Sequence, residues 1–268
     1  MTIFDIFIPA PLVWTAVLAY GAIIGSFLNV VIYRLPREES IAWPGSHCTQ
    51  CNTALTWKDN LPLLSYALLK GRCRTCKEPI SWRYPAVEAL NVALYGALLL
   101  AFGPTLQFVA LAALASLLIV IFWIDLDTMY ILNVTTYPGI ALGILYGGLI
   151  EGRWVPTLAA AAAGYGLFWL ISEGSHLYLK AIGSEHEDGM GMGDAKLAAM
   201  MGAWLGPGPL VVALFAAFLL GSIIGLALKA RSGKSEPFPF GPALVIGAFA
   251  GLFAGEAIWR WYMGYLVG

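Results

Sequence analysis

The chain has 268 residues, of which 59% are hydrophobic and 12% are charged, and its mean hydropathy is +0.76. A soluble domain carries about 25% charged residues, so this composition excludes a soluble globular protein and predicts a polytopic membrane protein. The net charge of -1 is less informative, because the placement of Lys and Arg orients a membrane protein. We expect a lipid bilayer as its environment and no nucleic-acid partner, and the composition predicts no oligomeric state.

The first apolar stretch, at about residues 9–33, is long enough to span a bilayer, and its small and polar residues at 25–29 predict a packed helix face. The polar segment 34–85 holds eight of the fifteen basic residues, so the positive-inside rule places it in the cytoplasm. We therefore predict an all-α polytopic protein of the inner membrane, with about eight transmembrane helices, both termini outside and no internal repeat. The seven further spans are expected at about 86–103, 105–125, 130–150, 155–173, 194–206, 209–228 and 240–259.

All four cysteines lie in the polar segment, as the pairs Cys48-Thr-Gln-Cys51 and Cys73-Arg-Thr-Cys76, with 21 residues between the pairs. This spacing is close to that of four-thiolate zinc sites, and a reducing cytoplasm disfavours two disulfides. A loop of about 50 residues with few apolar anchors also needs the folding free energy that zinc supplies. We predict a small cytoplasmic domain held together by a structural zinc ion that the four cysteines bind. The alternative is that the cysteines bind no metal.

Asp194 follows two glycines and precedes an apolar run of about 12 residues, or about 18 Å of helix, before Gly206. A bilayer core is about 30 Å thick, so this helix is predicted to start part-way inside the membrane. An ionised aspartate there costs about 2.5–3.5 kcal/mol. N-capping of the helix would explain the aspartate, but neither the glycines nor the depth. Lys196 is expected to extend to the lipid headgroups.

Asp125 and Asp127 lie at the end of a long apolar span, and about 200° of helix rotation between them prevents both from sharing one face. One of them is expected to meet Asp194, also at the cytoplasmic end of its helix. Two such carboxylates can share one proton and act as base and acid, as in aspartic proteases. Gly191 and Gly193 would let a peptide backbone approach closely. Clustered carboxylates also bind Mg²⁺ for phosphoryl transfer, and composition does not separate these two chemistries.

At these residues the chain resembles the bacterial type IV prepilin peptidases, the bifunctional leader peptidase/N-methyltransferases of pilus and type II secretion systems. One departure is visible, because the family usually has Leu-Pro-Asp where this chain has Ile131-Leu-Asn133. The blocks that carry the resemblance occur in order: Gly25–Arg34, the paired C-x-x-C segment, Asn60–Ser65, Ile80–Glu88, Ile124–Asp127, Gly191–Leu197 and Pro239–Pro242.

The resemblance implies an intramembrane aspartic protease of the GxGD type with Asp125 and Asp194 as catalytic residues. Asp125 is preferred because the first aspartate of its turn matches the family's catalytic position, with Asp127, Gly191 and Gly193 in supporting roles. The implied substrates are prepilins or pseudopilins with a short basic leader, cut at the cytoplasmic face. The new N-terminus is then methylated from S-adenosylmethionine, for which no binding motif is recognisable.

The corresponding division of the chain is a first transmembrane helix (1–33), a four-Cys zinc-binding domain associated with methyl transfer (34–85) and a peptidase domain (86–268). The alternative function is a Mg²⁺-dependent transferase acting on a lipid-linked phosphate, which would need a third carboxylate and converging basic residues. A further alternative is a membrane scaffold that docks partners through the zinc loop. The acidic run Glu185, Glu187 and Asp188 is expected to be a solvated linker rather than a site that attracts a basic leader.

Overall fold

The computed structural model describes residues 9–181, 191–233 and 237–267, and nearly all of the regular structure in these ranges is helical. Within them, β pairing is limited to two isolated bridges in the cysteine segment. The predicted all-α class is therefore confirmed. The helices are α1 (Ala10–Arg34), α2 (Leu64–Leu68), α3 (Arg83–Phe102), α4 (Leu106–Thr128), α5 (Asn133–Leu145), α6 (Trp154–Ala181), α7 (Met192–Leu205), α8 (Pro207–Ser232), α9 (Gly241–Ala250) and α10 (Glu256–Val267).

Six helical segments of the described chain are long and apolar enough to cross a membrane: α1, α3, α4, α6, α8, and α9 joined to α10. The other two predicted spans are also helical, but shorter. One is α5 with a π-helical extension at Tyr146–Ile150, and the other is α7, which has 14 residues. The chain is thus a multi-pass membrane protein, while the predicted sidedness of its loops and termini stays a prediction.

The chain folds into two compact units, Met1–Val120 and Ile121–Gly268, and the division between them falls inside α4. The predicted division at residues 33 and 85 concerns functional parts of the chain and stays a prediction. The acidic run Glu185, Glu187 and Asp188 lies outside the described residues. Its predicted role as a solvated linker is therefore also still a prediction.

In the first unit, α1 packs closely on α3 through the small and polar face that the sequence predicted. A methyl group on Gly25 would lie only 2.8 Å from the Cα atom of Glu88, so the two backbones nearly touch. Asn91 Nδ2 donates a hydrogen bond to Gly21 O over 2.7 Å, and Asn91 is fully buried. Small residues and buried amides of this kind hold helices together where lipid removes the hydrophobic driving force.

In the second unit, α7 is surrounded by protein, with ten of its residues buried: Ala195 and residues 197–205. Its backbone touches that of α6 at two places. A methyl group on Gly164 would clash with Ala198 O, and one on Gly202 would clash with Ala160 O. Since α7 is apolar on all sides, its burial explains how so short a helix is accommodated.

An aromatic anchor at its C-terminal end holds α7 against α5. Trp204 Nε1 donates to Gly139 O over 2.8 Å, so the indole N–H is satisfied inside the protein. The Trp204 ring also stacks on Tyr146 with centroids 5.1 Å apart. Gly143 leaves room for this indole, because a methyl group there would lie 2.6 Å from its Cδ1 atom.

A second aromatic group holds the start of α9. The rings of Phe168 and Phe218 stack at 5.5 Å, and the Phe240 ring lies 5.7 Å from that of Phe218. Gly221 on α8 makes room for Phe240, since a methyl group at this glycine would clash with the ring. These contacts place the residue after Phe240, which is Gly241, at a defined position.

The contact between α6 and α7 predicts unequal effects of two glycine substitutions on the same helix. Gly→Ala in a helix normally stabilises by about 0.5–1 kcal/mol, and no atom of the described residues lies within 4 Å of a methyl group added to Gly166. At Gly164 the methyl group meets the α7 backbone, which we expect to cost about 1–3 kcal/mol. Gly164→Ala should therefore lower the melting temperature in detergent, whereas Gly166→Ala should leave it unchanged or raise it. Equal melting temperatures would contradict the close helix contact.

Candidate active site and metal centre

The second unit brings the carboxyl groups of Asp125 and Asp194 together. Asp125 lies near the C-terminal end of α4 and is 3% exposed. Asp194 is in the first turn of α7, and its carboxyl is near enough to that of Asp125 for the two to interact electrostatically. Two ionised carboxylates this close would repel each other, so the pair is suited to sharing one proton.

Asp194 is the third residue of α7, so it is not the N-cap that the capping alternative required. The N-cap position is taken by Gly191, whose extended backbone (φ -69°, ψ 144°) leads into the helix. The Gly191 N–H donates to the Asp194 carboxyl, and the Asp194 N–H donates to Gly191 O over 3.1 Å. These bonds fix the carboxyl relative to the helix start.

The two glycines of this motif have different surroundings. Among the described residues, the atom nearest to a methyl group on Gly191 would be Oδ2 of Asp194, 3.8 Å away. A methyl group on Gly193 would lie 3.0 Å from Ile131 Cβ, in the turn that follows α4. Gly193 thus allows close packing of that turn, while a side chain at Gly191 would meet no close neighbour in the described part of the chain.

Gly241 is a site residue to which the sequence analysis assigned no role. Its backbone N–H donates to Asp125 Oδ2 over 2.9 Å, at the start of α9. A helix N-terminus carries a partial positive charge that stabilises a nearby carboxylate. A methyl group on Gly241 would lie 2.5 Å from Asp125 Oδ2, so only glycine fits here. The signal for it in the sequence is the Pro239–Pro242 block, whose pattern alone indicates no function.

Asp127 is exposed, in contrast to the buried Asp125. The two side chains leave α4 on different sides, as the helical repeat requires. The structure therefore selects Asp125 as the partner of Asp194.

Lys196 has a polar partner within the protein, while the expectation that it extends to the lipid headgroups stays a prediction. Its Nζ donates to Asn133 Oδ1 over 2.7 Å and lies 5.4 Å from the centre of the Tyr137 ring. Asn133 is the first residue of α5 and stands where the family usually has aspartate. A polar acceptor within the protein thus holds the lysine and ties the start of α5 to that of α7.

The cysteines of the first unit lie in two turns with the same backbone pattern. Asn52 N–H donates to Cys48 O over 2.9 Å, and Lys77 N–H donates to Cys73 O over 3.1 Å. Asn52 and Lys77 both have positive φ, at 54° and 63°. An antiparallel bridge closes each turn, His47 with Ala54 and Arg72 with Pro79.

The four sulfur atoms form a site that can hold a metal ion. They all lie within 4.8 Å of one another, and those of Cys48 and Cys76 are 3.9 Å apart. Tetrahedral coordination with zinc–sulfur bonds of about 2.3 Å places sulfur atoms about 3.8 Å apart, so the arrangement fits this ion.

The protonation behaviour of the thiols also suits a cation. A hydrogen bond with the Thr53 side chain lowers the pKa of Cys51 to about 6. At Cys76, a backbone hydrogen bond with Glu78 acts in the same direction, but desolvation and the neighbouring thiols outweigh it and raise the pKa to about 12. These opposite shifts of Cys51 and Cys76 show that the neighbouring thiols interact, and a bound metal ion would compensate the charge of their thiolates.

Comparison with known proteins gives matches over most of the chain. The Bacterial Peptidase A24 N-terminal domain matches residues 19–102, and the Type IV leader peptidase family matches residues 112–226. A prepilin leader peptidase/N-methyltransferase of Aeromonas salmonicida is 36% identical, over 96% of this chain and 96% of that protein. Proteins of the same name from Neisseria gonorrhoeae (32% identical; 98% and 99% covered) and Pseudomonas putida (33%; 89% and 90%) are also similar. No solved structure matches the chain.

The thiol cluster predicts one bound zinc ion per chain. Cys73→Ser removes one of the four ligands and should abolish stoichiometric zinc, measured by elemental analysis of protein purified under reducing conditions. The segment 34–85 should then become more sensitive to proteolysis, because the metal supplies part of its folding free energy. Thr49→Ser, an exposed change between two ligands, is the matched control and should keep the metal. Zinc retained in full by Cys73→Ser would contradict this assignment.

Proposed function

The chain belongs to the type IV prepilin leader peptidase/N-methyltransferase family, and from this membership we propose that it removes the basic leader from type IV prepilins or type II secretion pseudopilins. It is a multi-pass protein of the inner membrane, in which we place the reaction at the cytoplasmic face. The observation that carries the proposal is the pairing of Asp125 with Asp194, two carboxyl groups from α4 and α7 that are close enough to interact electrostatically.

The alternative, a Mg²⁺-dependent transferase acting on a lipid-linked phosphate, finds no support. The similar proteins are named as peptidases and methyltransferases. In the described part of the chain, the one group of three or more potential metal ligands is the cysteine set, and no third carboxylate joins the aspartate pair.

In the proposed hydrolysis the ionised carboxyl of the pair accepts a proton from water while the other donates its proton to the scissile carbonyl oxygen. The new C–O bond forms a tetrahedral intermediate. When the C–N bond breaks, the amine takes up a proton and leaves as the N-terminus of the mature pilin, and the leader leaves as a carboxylic acid. The Gly241 N–H orients the Asp125 carboxyl for this work.

We further propose that the new N-terminus is methylated. S-adenosylmethionine would supply a methyl group from its sulfonium centre, with formation of a C–N bond, cleavage of the C–S bond and loss of one proton from the amine. The zinc-stapled segment 34–85 lies within the matched N-terminal domain, and its eight basic residues favour a cytoplasmic position, where this donor is available.

The aspartate pair predicts loss of cleavage in two isosteric variants. Asp125→Asn and Asp194→Asn should each abolish leader removal, measured by the mass of a purified prepilin after incubation. The double variant should be little worse than either single one, because the two groups act as a unit. Asp127→Asn is the matched control and should retain activity. Activity in Asp125→Asn with full loss in Asp127→Asn would move the catalytic role by two residues.

The contact of Gly241 with Asp125 predicts that a substitution of this glycine also lowers the activity. Gly241→Ala places a methyl group against Oδ2 and should displace the carboxyl, and a misplacement of about 1 Å lowers turnover about 100-fold. Cleavage should fall mainly through kcat. Gly264→Ala, a glycine of α10 with free space around it, is the control. Wild-type turnover in a folded Gly241→Ala protein would remove this contact from the mechanism.

A further inference from the structure

The first unit contains a cavity of about 890 Å³ bounded by α1, the cysteine segment and the first turns of α3. Its volume lies within the range of about 300–1,000 Å³ that is usual for small-molecule sites. Apolar side chains of α1, among them Phe27 and Val30, form one wall. Tyr66 and Tyr84 also line it, and aromatic rings offer flat surfaces on which a planar base or a cation can rest, as the Arg37 guanidinium does on the ring of the lining residue Tyr33.

Glu88 is a buried acid of this cavity that the peptidase reaction does not use. Its residue is 8% exposed, and Oε2 accepts a hydrogen bond from the Leu63 N–H over 2.7 Å. The Ser26 hydroxyl is its other hydrogen-bond partner. Both partners are neutral, and among the described residues no basic side chain forms an ion pair with this carboxylate; Arg34, which also lines the cavity, donates instead to Ser40 O and Gly45 O. A buried carboxylate of this kind favours a ligand that brings a positive charge.

We propose that this cavity binds S-adenosylmethionine, with Glu88 as the residue that holds one of its two cationic groups, the sulfonium or the α-ammonium. This inference rests on the methyltransferase function proposed above and assigns the donor to a place in the chain. The ligand combines a planar adenine with a positively charged thioether chain, which matches aromatic walls and one buried acid. A lipid acyl chain would fit the apolar wall, but it would leave the Glu88 carboxylate desolvated without a cation.

The cysteine turns contribute to the same cavity, because Cys48 and Cys73 are among its lining residues. A metal ion that fixes these turns also fixes one wall of the cavity. The metal ion would therefore stabilise the cavity as well as the cysteine segment. We expect that loss of the metal weakens binding of S-adenosylmethionine.

The test is equilibrium dialysis of labelled S-adenosylmethionine against the full-length protein in nanodiscs, without any pilin. Glu88→Gln keeps the shape of the side chain and removes its charge, and it should raise the Kd about tenfold or more, as expected for a lost charged hydrogen bond. The control is Glu39→Gln. Glu39 is an exposed acid of the first unit that does not line the cavity, so its substitution should leave the Kd unchanged. S-adenosylhomocysteine has no sulfonium, so a weakening confined to S-adenosylmethionine identifies that group as the partner, and a weakening of both identifies the α-ammonium.

A second variant fills the cavity without altering the partners of Glu88. Val30→Trp on α1 should reduce the affinity for both ligands, while zinc content and leader cleavage, which depend on other residues, report that the protein is folded. Unchanged affinity in both Glu88→Gln and Val30→Trp would overturn the assignment. A co-purified lipid that saturating S-adenosylmethionine fails to displace from the cavity would overturn it as well.

Failure of the underlying function gives a different result. Wild-type protein that binds no S-adenosylmethionine under any of these conditions would refute both the methyltransferase proposal and this site. Wild-type protein that binds it with an affinity insensitive to both substitutions would leave the methyltransferase function standing and refute the cavity alone.

Discussion

Direct backbone contact between α6 and α7 is the constraint on which the position of Asp194 depends. Gly164 and Gly202 let the two helices approach until the carbonyl oxygens of Ala198 and Ala160 occupy the space of a side chain. A helix packed in this way cannot shift by even one methyl group without disturbing its neighbour. The Asp194 carboxyl, in the first turn of α7, therefore has a defined position. The proposed hydrolysis of a peptide bond by two carboxyl groups requires such fixed geometry.

The second acid is held from a different direction. Asp125 reaches its position from the end of α4, and the start of α9 supplies the N–H that fixes it. The ring of Phe240, packed on Phe168 and Phe218, determines where α9 begins. Hydrophobic packing thus places a polar donor, and the polar donor orients the Asp125 carboxyl. This order of dependence explains why Gly241, with no side chain of its own, belongs to the site.

The aspartate pair and the cysteine cluster, to which the two proposed activities are assigned, lie in different units of the chain. The aspartate pair and its supporting contacts belong wholly to the second unit, whereas the cysteine cluster and the Glu88 cavity belong wholly to the first. Both units use the same means of packing in lipid. Gly25 lets α1 approach α3 closely and Asn91 joins the two helices by a hydrogen bond, while Gly164 and Gly202 let α6 approach α7 closely. Small residues permit contact, and buried polar groups are satisfied by neighbouring backbone.

The sequence alone determined those features that depend on local pattern. Apolar runs of sufficient length predicted the helices, because a backbone in lipid must satisfy its own hydrogen bonds. The spacing of two cysteine pairs predicted a four-thiolate site. Tertiary structure decided what depends on residues far apart in the chain: the bond from Gly241 to Asp125 spans 116 positions, and the bond from Lys196 to Asn133 spans 63.

The two cysteine turns are recognisable in the sequence as C-x-x-C pairs, but the backbone hydrogen bonds that they share, at Asn52 and Lys77, are visible only in the structure. Likewise Glu88 is an ordinary acid in the sequence, and only the closeness of α1 and α3 makes it a buried carboxylate facing a cavity. Composition and spacing thus determine which elements form and which residues are chemically able to act. The packing of those elements decides which of these reactive residues come into contact, since a contact between distant segments leaves no periodic signal along the chain.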